Sequence, residues 1–482
     1  MPTPVNSTYE TKTIPPLSIL DSRDYTGVYD SVAINCIAEI DKENGNGEIL
    51  LVKRDGTEEV IPNIGSETVR GLFHWNGQNK VFVAIGADIY IYNATDFSLI
   101  ATLLAAFTSA TTKVGFCSYL YEDGTSVLMC TDGTTLNKIT TANAISASAT
   151  VAATVGQHVA TPIYYDGYLL LVKSGTGDCY NSDLNDPMTW TAGNFITAEI
   201  LPDTITDIAR INNYFILIGQ ESIEYFYDAG NPTGTPFARN DVFVKLIGLI
   251  SRSIVSYGNQ LFMVGRKNEA VPEVFMLEDF KLNPISTPAI RRWLLTVGPT
   301  IRGFLLSFNG HDFYILQGAG RCYYYDITTQ LWGRLAYQSS TTNFPITYAY
   351  IIDGTYGQES LFTTSNDNSV QRFNSEIYQD NEVDFSVIFR TKRLNFGTNN
   401  NKFMSSMVIW ADRAPDVGSI NVQVSDDDYQ SFNTARSINL DHERPNAQQW
   451  GRFRTRAFKF TYTADAPLRI RNIEIDYNMG VT

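Results

Sequence analysis

The densest chemical signal in this 482-residue chain is basic. From Gly451 to Lys459 the sequence reads Gly-Arg-Phe-Arg-Thr-Arg-Ala-Phe-Lys, and Arg469 and Arg471 follow. Side chains alternate along a strand, so Arg452, Arg454 and Arg456 are expected on one face, with Phe453 and Ala457 on the other. Guanidinium arrays suit two-pronged contacts to carboxylates or phosphates. Arg452, Arg454, Arg456, Arg469 and Arg471 are therefore read as a subunit or partner contact. The plainer alternative is a solvated outer strand face.

A catalyst needs convergent groups, and few are visible. His74, His158, His311 and His442 lie far apart, without the spacing of a metal-binding pair. They read as turn or surface residues. Gly318-Ala319-Gly320 lacks the lysine of a phosphate loop and reads as a hairpin turn. Asp426-Asp427-Asp428 could hold a hard cation through its oxygens, but a solvated turn between strands is the simpler reading. Ser182–Trp190 resembles turns ending in tryptophan at the rims of glycan-cleaving propellers, where such turns are structural. Glycoside hydrolysis would need two carboxylates across a cleft, and no pair stands out among 51 acids. No catalytic residue, metal site or cofactor is assigned, and the expectation is a protein that is not an enzyme.

Composition narrows the class. The chain is 44% hydrophobic, 12% aromatic and 18% charged, which excludes intrinsic disorder. Its 27 Tyr and 27 Phe favour strands. A net charge of −15 argues against general affinity for duplex nucleic acid. Cys36, Cys117, Cys130, Cys179 and Cys322 are scattered and odd in number. With no apolar leader after Met1, the expectation is free thiols in a reducing cytoplasm. The apolar stretch Leu99–Phe107 is far too short to span a bilayer.

The elements that would position any site follow from a repeat. An apolar or aromatic residue, a tight Asn/Asp/Gly turn, an apolar strand, a second polar turn and another strand recur seven times. The first turns end at Gly77, Gly124, Gly167, Asn213, Asn259, Gly310 and Gly354, at spacings of 47, 43, 46, 46, 51 and 44 residues. Asn-Gly and Asp-Gly turns accept positive φ and suit hairpins. This interval matches a propeller blade of four strands. A β-sandwich is the competing architecture, but its turns return every ~8–12 residues without a longer period. The fold expected is all-β: a propeller of six or seven blades over residues 71–380, with a β-sandwich-like domain over residues 381–482. Residues 1–70 are expected to flank or close the propeller, with strands at Val32–Ile40 and Ile49–Lys53, either able to complete the last blade. Leu99–Ala110 and Pro288–Leu295 are the candidate helical turns. Residues 381–482 carry 13 basic and 12 acidic side chains, which leaves −16 on the first 380 residues.

Three stretches carry a resemblance: Asp203–Phe226, with its Gly219-Gln-Glu-Ser-Ile-Glu-Tyr-Phe226 hairpin; Val264–Leu277, containing Ala270–Phe275; and the last strands, with Gly451-Arg-Phe-Arg454, Phe458-Lys459 and Leu468–Ile475. A weaker echo lies at Tyr29–Ile40. In order along the chain, these resemble the tail-hub, or packaged-DNA stabilisation, proteins of short-tailed phages of the Salmonella-phage type. The resemblance implies a structural virion protein of the tail, assembled in the host cytoplasm. It implies a nozzle of six copies beneath the portal and its adaptor (the head-to-tail connector), carrying tailspikes or fibres outside and a needle or plug at the distal end. Genomic DNA would pass through the ring without specific recognition, along an acidic lumen that repels phosphate. The alternatives from other classes are a propeller-type glycan-binding module and a glycosidase.

Overall fold

The computed structural model describes residues 9–14, 32–41, 48–62, 64, 69–201, 203–267, 271–354, 357–365, 367 and 369–480. The turn Asn44–Gly47 and part of the Tyr29–Ile40 and Ala270–Phe275 stretches lie outside the described residues.

Seven antiparallel four-stranded units succeed one another. Blades 1 to 6 begin at Val69, Gly115, Ile163, Ile205, Val255 and Arg302, and blade 7 at Ile346. Their first hairpins turn where the sequence places them, with positive φ at Asp166-Gly167 (46° and 82°) and Asn309-Gly310 (50° and 72°). The second strands are apolar on both faces rather than alternating. Val81–Ala84, Leu169–Val172, Phe215–Ile218, Leu261–Val264 and Phe313–Leu316 are all fully buried. A strand buried on both faces must lie between two other layers, and here the layers are the neighbouring blades.

Seven apolar clusters make this literal, because each joins two consecutive blades. Phe82 and Leu128 share one, Tyr119 and Leu169 the next, then Leu170 and Phe215. Ile216 packs with Leu261, Phe262 with Tyr314, and Leu306 and Ile315 of blade 6 with Phe362. The last cluster joins Leu361 of blade 7 to Val81 of blade 1. The disc is closed.

Blade 7 takes its fourth strand from the start of the chain. Gly56–Ile61 pairs antiparallel with Val370–Asn374. Neither strand candidate at Val32–Ile40 nor Ile49–Lys53 closes the ring, in contrast to the expectation. The closing strand escaped notice because Gly-Thr-Glu-Glu-Val-Ile is polar, as an outermost strand with an exposed face is free to be.

The other early strands build a sandwich with the late ones. One sheet orders Cys36–Asp41, Glu48–Lys53, Arg469–Met479, Lys402–Ala411 and Asn446–Phe453, with Tyr9–Ile14 also pairing to Arg469–Met479. The facing sheet continues from the outer strand of blade 6, Trp332–Leu335. From there it runs through Val32–Ile34, Val387–Arg390, Ala457–Tyr462 and Ser419–Ser425 to Arg436–Asn439. Leu51, Phe389, Met407, Phe460 and Tyr477 lie in the core between them.

Of the two expected helical turns, one forms. Pro288–Val297 is a helix with proline in its first turn, and the Thr287 hydroxyl accepts from the Ile290 N–H at 3.4 Å. It buries Ile290, Trp293 and Leu294 over the seam of blades 5 and 6. Leu99–Leu103 is instead the outer strand of blade 1, paired with Ile89–Tyr92. An apolar run of that length suits an edge strand as well as a helix.

Candidate functional site

The arginine-rich segment does not lie on one strand. Asn446–Phe453 belongs to one sheet of the sandwich and Ala457–Tyr462 to the other, and the chain crosses between them at residues 454–456. The crossing breaks the alternation that would have put three arginines on one face. Phe453 and Ala457 are buried as expected, but so is Arg456.

Arg456 grips both Asp426 carboxylate oxygens at 2.7 Å, donates to the Trp450 carbonyl at 2.9 Å, and stacks over Phe453 at 4.5 Å. It is a structural clip. Its partner removes Asp426 from any cation site, while Asp427 accepts from Ser425 and Ser431, and Asp428 pairs with Arg393. No cluster of three metal-ligating side chains occurs among the described residues. Arg471 pairs with Asp412 at 2.6 Å, and Arg469 lies 3.3 Å from Glu39 and 3.7 Å from Asp412.

Arg452 and Arg454 differ. Both are exposed, and neither has a carboxylate partner among the described residues; Arg454 reaches only Asn401, at 3.4 Å. Arg452 stands opposite Phe403 across the sheet, and that ring is 49% exposed. Exposed arginine beside an uncovered aromatic is the composition of an interface centre.

Sequence reasoning missed the joint between propeller and sandwich. Arg54, fully buried, holds both oxygens of buried Asp380 at 2.8 and 2.6 Å. It also donates to Asn35 Oδ1 and the Ala336 carbonyl, and packs over Phe385 at 3.8 Å. Asp380 additionally accepts from the Gln338 N–H. Beside it Lys53 donates to the Tyr378 and Ala464 carbonyls, and burial pushes its amine down to about 8. Residues 35, 54, 336 and 380 have no local spacing that would announce such a knot.

The histidines are not simply turn or surface residues. His74 and His158 are buried. His158 Nε2 meets the Thr131 hydroxyl at 2.6 Å, and burial lowers its pKa. His311 Nδ1 lies 2.8 Å from Asp326, whose hydrogen bond raises the imidazole pKa. Trp190 is buried in its turn and donates to the Pro187 carbonyl, a structural arrangement. The five cysteines are free thiols, four of them buried.

A cavity of about 670 Å³ opens between blades 3 and 4, lined by Tyr165, Tyr214, Tyr227 and by Asp166, Asp228 and Asp241. Arg239 also faces it.

Residues 19–350 match the phage-stabilisation family described as "Bacteriophage P22 Gp10, beta-propeller". The chain belongs to this family. It is thus a structural component of a phage tail that stabilises packaged DNA, built on an all-β propeller. The matched residues take in most of the closed disc, and the arginine-rich strands lie beyond them. No curated protein matches the sequence. Among solved structures, virginiamycin B lyase from Staphylococcus aureus is 10% identical, covering 66% of this chain and 98% of its own, at a TM-score of 0.44. The Pan2 WD40 domain of Neurospora crassa is 8% identical, covering 67% and 95%, at 0.42. Neither likeness bears on activity or partner. No helix among the described residues is long and apolar enough to cross a membrane.

Proposed function

We propose that this family member is one subunit of a tail-hub ring, six copies of which continue the portal-adaptor channel, retain the packaged genome and carry tailspikes or fibres, with a needle or plug at the distal end. The family match over residues 19–350 supports the reading most directly. A propeller locked to a sandwich by a buried ion pair suits a subunit that must resist internal pressure without changing shape. The polypeptide supplies scaffold and contacts rather than catalysis, and assembly takes place in the host cytoplasm before the protein becomes part of the virion. Residues 1–70 serve both bodies, supplying sandwich strands and, with Gly56–Ile61, the strand that closes the disc, so scaffold and contact functions divide between disc and sandwich. The −16 of the first 380 residues favours an acidic lumen along which DNA slides without sticking.

Within this ring Arg452 and Arg454 make a heterologous contact to an acidic neighbour, the kind of contact that closes rings. Arg469 and Arg471 lie at the opposite end of the same sheet, beside Ala411 rather than Phe403, and are bound to their own acids. Replacing Arg452 and Arg454 by Ser should leave a folded chain that fails to join the tail. The test compares the mass of wild type and variant, alone and mixed with tail extract lacking this protein. Equal incorporation of the variant would remove the contact; failure of the wild type to enter any assembly would remove the ring.

One observation favours a second reading. The tyrosines and carboxylates of the cavity between blades 3 and 4 have the chemistry of a sugar subsite, which would make the protein a glycan-binding module, or with turnover a glycosidase. Binding of host surface glycans abolished by Tyr227→Ala would support it, and hydrolysis of a chromogenic glycoside would extend it to catalysis.

A further inference from the structure

The blades share one connectivity, so all seven inner strands start at the same face of the disc, around its axis. The residues at these starts are not uniform. Arg70, Arg302, Tyr348 and Asp207 lie in the first three residues of the inner strands of blades 1, 6, 7 and 4, and Lys113 and Arg252 just precede those of blades 2 and 5. Four cations thus gather with two carboxylates, Asp207 beside Lys113 and Asp132 acting on Arg70, in a chain whose net charge is −15.

Their adjacency rests on backbone contacts. The Val114 N–H donates to the Arg70 carbonyl at 2.9 Å, which sets Lys113 beside blade 1. A Cβ on Gly303 would lie 2.5 Å from the Ser253 carbonyl, so the chain around Arg252 and Arg302 is in tight contact. The inner strands of blades 6, 7 and 1 are immediate neighbours, which puts Tyr348 between Arg302 and Arg70. Burial raises the Tyr348 hydroxyl pKa, and Arg302, Arg252 and Arg70 all act on it in the opposite sense. Asp207 is likewise raised by burial and partly offset by Lys113.

Two features suit this mouth to an anion. Arg70 is 1% exposed; its Nε donates to the Thr112 carbonyl and its Nη1 to the Gly86 and Ser109 carbonyls, while Nη2 is buried without a hydrogen bond. A buried donor left unpaired costs about 1–3 kcal/mol. Arg252, Arg302 and Lys113 have no ion pair among the described residues. Deeper along the axis the ring of Phe73 packs on Phe116 at 5.7 Å and on Tyr350 at 5.1 Å, a floor that makes the mouth a cup.

We propose that this axial mouth binds a phosphate group, held by Arg252 and Arg302 at the rim and Arg70 beneath. Guanidinium groups from three blades supply the paired donors that a phosphate's oxygens require. The phosphate comes either from a free anion or from the end of a DNA strand, and competition separates the two.

Calorimetric titration with inorganic phosphate should show binding to wild type. Arg252→Ala/Arg302→Ala should weaken it at least tenfold with an unchanged unfolding midpoint, and Lys173→Ala, just past the second strand of blade 3 and outside the cavity that Arg252 lines, should leave it intact. Competition by a 5′-phosphorylated oligonucleotide, but not by its unphosphorylated form, would assign the site to a DNA end; competition by neither would assign it to the free anion. The proposal is overturned if wild type binds no phosphate, if the double variant binds like wild type, if Lys173→Ala loses as much, or if both oligonucleotides compete equally.

Discussion

At the scale of single residues, the buried ion pair of Arg54 and Asp380 is the most consequential interaction. Removing one partner strands a charge that the fold has fully desolvated, a loss of about 3–5 kcal/mol. Arg54→Met should therefore lower the denaturant midpoint sharply. Adding Asp380→Leu should recover part of the loss, because the orphaned carboxylate disappears; additive losses would show that the two side chains act independently. His311 makes a pH-dependent contribution. Its folded pKa is raised by the Asp326 hydrogen bond above the ordinary value of about 6.5. Stability from this pair is fully present below that ordinary value and fades as pH rises through the folded pKa. The unfolding midpoints of wild type and His311→Gln should accordingly converge as pH rises from about 5 to 9. His158 acts in the opposite direction, since its pKa is lowered by burial, so the comparison must be made against the His311 variant. A gap that stays constant across that range would dismiss the pair as a titrating element.

At the scale of elements, the inner strands approach one another so closely that glycine is required. A Cβ on Gly115 would stand 2.2 Å from the Ala160 carbonyl oxygen, which is backbone and cannot swing aside. Gly115→Val should cost about 3 kcal/mol or more, read as a drop in thermal midpoint; a neutral result would mean that blades 2 and 3 are less tightly apposed. Gly77→Val, at a position with open space around it, is the matched control. What was legible in the sequence follows the same geometry. The hairpins were visible because their turns need Asn, Asp or Gly and their second strands are apolar on both faces. Gly56–Ile61 was invisible because an outermost strand needs no apolar signature. Arg456 was assigned to the surface because alternation was extended across a strand break that only the two-sheet topology reveals. Arg54 and Asp380, 326 residues apart, could be paired by nothing local.

At the scale of the whole molecule, closure is the property from which the rest follows. Each apolar cluster is shared by two blades, so no blade can leave without exposing two seams. The seventh seam depends on a strand from residues 56–61, just after strands that enter the sandwich. Deleting residues 1–68 should thus cost the cooperative unfolding transition of the disc as well as sandwich strands. A truncated chain that still unfolds in one sharp step would show that ring closure does not depend on this segment.

This propeller belongs to the tail structure that keeps packaged DNA inside the particle. Particles assembled without the protein can be filled, supplied with the purified chain, and assayed for nuclease-protected genome. Restoration of protected DNA, with the chain recovered on the particles, is the expected result. Particles that retain their genome equally well without it would contradict the claim.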